Sequence, residues 1–258
     1  PRSQNRPAQP PLIGAVIQVT ELTDGLSLSV LVAAASIGFV HTLLGPDHYV
    51  PFISLARAQH WTIGRTLAIV AACGVAHVLG SAMLAGVGLA AGAAIGEMEG
   101  VEAGRGSVAA WAMVAFGAAY CAWGIRRAFV TSKGLAPHSH GDHVHIHTDG
   151  VTHHHHAGDT DAPVQPRTFW ALMVLFILGP CEPLIPLFVL PASRGRWDIA
   201  IATILVFGIV TVVTMVAVTA AGFYGARQIN FGGAERYAHA FAGGAVATSG
   251  LMVIGLGL

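Results

Sequence analysis

Charge is what this chain has least of. Its 258 residues include 13 Lys and Arg and 13 Asp and Glu, so charged residues make up 10% and the formal net charge is +0. A soluble domain carries about 25% charged residues. With no excess of positive charge, no basic face invites nucleic acid. Cysteine is scarce too. Cys73, Cys121 and Cys181 fall in three different apolar runs, and no local pair suggests a disulfide or a CxxC redox motif. No Gly-rich P-loop is present, which argues against ATP hydrolysis within the chain. Neither a His-Glu-x-x-His motif nor a Ser/His/Asp set is apparent, which argues against an enzyme.

Apolar residues are abundant: 54% of the chain, with a mean hydropathy of +0.64. They gather into six stretches, at about 26–44, 66–94, 108–130, 169–190, 199–224 and 237–258. Each is long enough to cross a hydrocarbon layer of about 30 Å as a helix. The runs do not alternate, which excludes a transmembrane β-barrel. Small residues such as Gly74, Gly80, Gly86, Gly243, Gly244 and Gly250 recur at helical spacing and suit close helix packing in lipid. Residues 1–25 read as a mobile tail or a short surface helix, because the apolar patch at 12–19 is too short to span.

One long polar segment, 131–166, separates the third and fourth stretches. It holds nine of the fourteen histidines: His138, His140, His143, His145, His147 and His153 to His156. Its composition predicts a mobile loop that collects or buffers metal ions. The loops on its side of the membrane carry Arg57, Arg65, Arg126, Arg127, Lys133, Arg167, Arg227 and Arg236. The other side has Arg105, Arg194 and Arg196, with Arg2 and Arg6 in the tail. That bias predicts a cytoplasmic histidine-rich loop and both termini outside.

The chain repeats itself. Leu44-Gly45-Pro46-Asp47-His48 aligns with Leu178-Gly179-Pro180-Cys181-Glu182, and the same offset places Gly74-Val75-Ala76-His77-Val78 on Gly208-Ile209-Val210-Thr211-Val212. Three spans separate the copies, so the halves would be inverted across the membrane. The expected fold is therefore an all-α membrane protein: six transmembrane helices, as two inverted three-helix repeats at 26–130 and 167–258. Gly-Pro should break helices 1 and 4, since Pro46 and Pro180 lack a backbone donor and clash with the preceding turn.

Ionisable groups in such a setting are costly and usually mark an ion or substrate path. His41, Asp47, His48 and His77 lie in the first two spans, and Cys181 and Glu182 in the fourth. Imidazole, carboxylate and thiol together are transition-metal ligands. These six residues are the expected metal site, with Asp47 and Glu182 offsetting the dication's charge. Thr203, Thr211, Thr214 and Ser81 are further candidates to line a path, although Thr in such helices commonly bonds its own backbone. His60 and His239 fall near span ends and read as interfacial.

His41-Thr42-Leu43-Leu44-Gly45-Pro46-Asp47-His48, Gly74-Val75-Ala76-His77, Gly179-Pro180-Cys181-Glu182-Pro183 and the histidine-rich loop resemble the NicO group of nickel/cobalt transporters and efflux proteins, in a superfamily that also holds urease-accessory-type membrane proteins. The resemblance covers the chain from about residue 26 to its end. It implies a multi-pass protein of the bacterial inner (cell) membrane that moves nickel or cobalt, with histidines of the first two spans needed for transport. The metal would be cargo, with no permanently bound cofactor, and a homo-oligomer is possible. The segment between His41 and Asp47 is one residue longer than in the related nickel/cobalt uptake family. A transporter of sulfite, a thiol compound or an amino acid is the alternative, with Cys181 as a thiol contact.

Overall fold

The computed structural model describes residues 12–132, 138–140, 143–145, 166–229 and 232–256. Eight helices follow one another among them: α1 (Leu12–Leu44), α2 (Val50–Ala58), α3 (Ile63–Ala90), α4 (Ile95–Ser132), α5 (Pro166–Leu178), α6 (Leu184–Ser193), α7 (Trp197–Gln228) and α8 (Ala238–Leu256). Short 3-10 turns cover Pro46–His48 and Gly232–Tyr237. Within the histidine-rich segment, strands β1 (His138–His140) and β2 (His143–His145) pair antiparallel through their backbones. Residues 131–132 and 166 of that segment belong to α4 and α5; 133–137, 141–142 and 146–165, where mobility and metal capture were also expected, lie outside the described residues, as do residues 1–11. Helix α1 already begins at Leu12, inside the stretch read from the sequence as a tail or surface helix.

Among the described residues, five segments are long and apolar enough to cross a membrane: Ser27–Leu44, Ile63–Ala90, Ile95–Val130, Trp197–Gln228 and Gly232–Leu256. The fourth expected stretch is divided between α5, with 13 residues, and α6, with 10. Proline is the cause. Pro180 and Pro183 have no N–H to continue the helical ladder, and the chain turns through Gly179 to Pro183 before Leu184 and Ile185 donate back to Cys181 O and Glu182 O. Helix α1 ends in the same way. The Gly45 N–H closes the last turn on His41 O at 3.0 Å, Pro46 cannot continue it, and α2 restarts at Val50.

Helix α4 begins well before the expected start near 108. The region holds Gly100, Gly104 and Gly106, yet it is helical, and Glu102 lies fully buried within it.

Helices α4 and α8 meet backbone to backbone. A Cβ placed on Gly243 would lie 2.3 Å from Cys121 N, and one on Gly117 would lie 2.4 Å from Ala247 N. The same closeness recurs a heptad along, at Gly124 against Ala240 and Gly250 against Ala110. In lipid, where apolar side chains gain little by meeting one another, close approach and dispersion hold such pairs. Helices α3 and α7 cross through a reciprocal pair: Gly74 abuts Val212 and Gly208 abuts Val78. Large apolar side chains such as Leu28, Val32, Met83, Val87, Ile209 and Val213 are exposed and form a surface suited to lipid.

The packing of α4 on α8 is directly testable. Gly243→Ala should destabilise the protein by about 1–3 kcal/mol through overpacking. Gly244→Ala, at a glycine with open space around it, should be neutral. Thermal unfolding of the two variants in detergent measures the difference.

Candidate metal centre

The break in α1 brings three histidines to one point. His41 lies in the last turn of α1, His48 in the 3-10 turn after Pro46, and His77 in the middle of α3. Ring centroids are 5.0 Å apart for His41 and His48, 5.1 Å for His48 and His77, and 6.4 Å for His41 and His77. One ligand atom from each lies within 4.8 Å of the others, and no further His, Cys, Asp or Glu joins this group among the described residues. His48 and His77 are 2% exposed, which for an imidazole in an apolar bundle demands partners.

Those partners sit on one side of each ring. His48 Nδ1 is 3.1 Å from Gly45 O and 3.2 Å from Asp47 Oδ1. His77 Nδ1 is 3.3 Å from Phe176 O. A carbonyl only accepts, so Nδ1 carries the proton in both rings and donates it. That tautomer leaves Nε2 with a free lone pair. His41 Nε2, His48 Nε2 and His77 Nε2 are all buried without a hydrogen-bond partner. An imidazole that donates through one nitrogen and presents the other is the usual form of a metal-ligating histidine.

Glycine makes this arrangement possible. A Cβ on Gly45 would lie 2.5 Å from His48 Nδ1 and 2.8 Å from Asp47 Oδ1. The backbone there is ordinary, at φ −83 and ψ 98, so it is space that requires glycine. In the second break, a Cβ on Gly179 would crowd His77 Nδ1 at 3.2 Å.

Two small cavities flank the group. One, of about 60 Å³, is lined by His41, Gly45, Asp47, His48 and Pro180. The other, of about 20 Å³, touches Asp47, His48, His77, Gly179 and Pro180. The smaller has room for about one water. A metal ion about 2.1 Å from each of two imidazoles cannot have them more than about 4.2 Å apart. The spread of up to 4.8 Å is therefore slightly open for a shared ion.

The comparisons with family models, curated proteins and solved structures find no match to this chain.

Of the six residues expected at the site, the structure brings four together. Asp47 Oδ1 lies 3.2 Å from His48 Nδ1 and is not part of the three-histidine ligand group. Cys181 is fully buried, but it packs with Ala34, Val78, Leu184 and Phe207. Glu182 is exposed. The repeat aligns Asp47-His48 with Cys181-Glu182, but the residues after Pro180 do not present donors to the histidines.

Sequence reading missed Glu102 altogether and took Arg105 for a loop charge. Glu102 is 0% exposed, and Oε1 accepts from Ser81 Oγ, from Arg105 Nη2 at 2.7 Å and from the Cys181 N–H at 2.8 Å. The signal was an acid and a base at i,i+3, next to a stretch too short in glycine-free apolar residues to read as a span. Thr203 donates to Ile199 O, the backbone bond expected of threonine. Thr211 and Thr214 are buried, and Thr211 Oγ1 has no partner. His239 Nδ1 is 2.8 Å from Tyr120 Oη, and His60 is an exposed residue with φ 53.

Gly45→Ala should push His48 off its Nδ1 partners and weaken nickel or cobalt binding about tenfold or more, as loss of such outer contacts does. Gly86→Ala, in open space on α3, should leave it unchanged. Calorimetric titration reads both, in a background with the nine loop histidines replaced by serine.

Proposed function

We propose that the protein is a secondary transporter of divalent transition-metal cations, nickel or cobalt in the first place, moving them outward through the His41–His48–His77 centre. The observation that carries this reading is a cluster of three histidines whose ligand atoms lie within 4.8 Å of one another, each ring with a buried Nε2 that has no hydrogen-bond partner. A cation crossing an apolar layer must exchange its water shell for fixed ligands, and neutral imidazoles suit nickel, cobalt, zinc and copper(II). The Asp47 carboxylate, 3.2 Å from His48 Nδ1, supplies negative charge one bond behind the ligands. A centre of three ligands with a slightly open spread can release its ion, which a closed four-ligand structural site does not.

In this reading the chain has six spans, α5 and α6 together forming the fourth, and two inverted halves in which α1 to α4 correspond to α5 to α8. The reciprocal contacts Gly74–Val212 and Gly208–Val78 support it, because each is the image of the other under the repeat offset. Both breaks lie beside the site, where inverted-repeat transporters hold their cargo. The histidine-rich loop faces the cytoplasm and gathers ions for export. The reading with a thiol compound or another solute leaned on Cys181, and the apolar burial of that side chain favours the metal.

The test is flux. Purified protein in liposomes that enclose a metal-sensitive dye should pass nickel or cobalt, and His48→Ala or His77→Ala should reduce the rate to that of empty liposomes. Asp47→Asn should lower it about 10- to 100-fold, as for outer-shell partners of ligating histidines. Flux unaffected by the histidine substitutions would remove the proposed centre. Raised metal tolerance in an expressing host marks export, and raised sensitivity marks import.

A further inference from the structure

The second break carries a buried ion pair that the histidine centre does not use. Glu102 on α4 is fully buried, and its Oε1 collects donors from three elements: Ser81 Oγ on α3, Arg105 Nη2 on α4 and the backbone N–H of Cys181 in the break. Arg105 Nη2 donates in turn to Ser81 Oγ at 2.6 Å and to Gly179 O at 3.2 Å. The pair thus takes the carbonyl on one side of Pro180 and the N–H on the other. Pro180 itself packs on α4, where a Cβ at Gly106 would lie 2.5 Å from its Cγ.

The opposite face of this short segment is the site. Gly179 abuts the His77 ring, the nearby Phe176 O accepts its Nδ1 proton, and Pro180 lines both cavities. Ser81, one turn beyond His77 on the same helix, is tied to the same carboxylate. A buried ion pair is weak as a source of stability, and an apolar replacement of equal volume commonly serves as well. What this one supplies is a fixed position for two backbone groups, Gly179 O and the Cys181 N–H, that a Pro-interrupted helix leaves unpaired.

We propose that Glu102 and Arg105 are positioning residues for the histidine centre: they clamp the Gly179–Cys181 segment that backs His77 and separates the two cavities. The metal-dependent part of this inference rests on the transport reading above. The clamp itself does not, and it has its own readout.

The experiment uses the full chain with Cys73 and Cys121 replaced by alanine, leaving Cys181 as the single thiol. With Glu102 in place, N-ethylmaleimide should label Cys181 slowly. Glu102→Gln should speed labelling about tenfold or more, because the segment opens locally more often. Ser81→Ala, which removes one donor and no charge, should speed it by less. It also serves if the Glu102 variant fails to fold. A second background that keeps only Cys73, a fully buried residue in the core around Phe52 and Met215, should show no change with either substitution. Unchanged labelling of Cys181, or equal acceleration at Cys73, overturns the clamp. In the loop-serine background, Glu102→Gln should also weaken nickel binding about tenfold, in the range of outer-shell losses. If His48→Ala and His77→Ala bind nickel like the parent, the transport reading fails while the labelling result still decides the clamp.

Discussion

The structure depends on two carbonyl oxygens released by broken helices. A helix interrupted in an apolar layer leaves backbone acceptors that no water can satisfy. Here they are satisfied by imidazole. Gly45 O accepts both the backbone N–H of His48 and its ring Nδ1, each at 3.1 Å. Phe176 O accepts the Gly179 N–H at 3.2 Å and His77 Nδ1 at 3.3 Å. Each break therefore fixes one histidine, its tautomer as well as its direction. The second nitrogen of each ring is buried without a hydrogen-bond partner.

The rest of the bundle keeps those two breaks in register. Helix α3 carries His77 and Ser81 one turn apart, so it touches the second break through one residue and the Glu102–Arg105 pair that holds that break through the other. Its crossing with α7 is set by glycines on both sides, and the α4–α8 pair is closer still. Such close contacts tolerate little adjustment. They place Glu102 and Gly106 of α4 against the second break, with Pro180 between that helix and the histidines. Apolar packing supplies the framework, and a handful of polar contacts decides where the interrupted segments stop.

Much of this could be read from the sequence. Pro46 and Pro180 have a local effect that no packing reverses, so both interruptions were legible. The three histidines were legible because each is an expensive residue in an apolar run. Glu182 was misleading for the opposite reason: alignment with His48 implied an inward side chain, but direction after a proline turn depends on the turn, and Glu182 is exposed. Asp47 was expected as a member of the metal site, and its contact with His48 Nδ1 needs a distance to see. Glu102 was hidden by its neighbours. Glycines on either side made the start of α4 resemble a loop, and only burial by α3 and the second break gives the carboxylate its meaning.

The central claim is that three imidazole nitrogens converge on a cation. X-ray absorption at the nickel or cobalt edge reads that directly, on protein whose nine loop histidines have been replaced by serine. The account predicts a first shell containing three imidazoles and one fewer in each of His41→Ala, His48→Ala and His77→Ala. A shell dominated by sulfur, or one that all three substitutions leave unchanged, would contradict it.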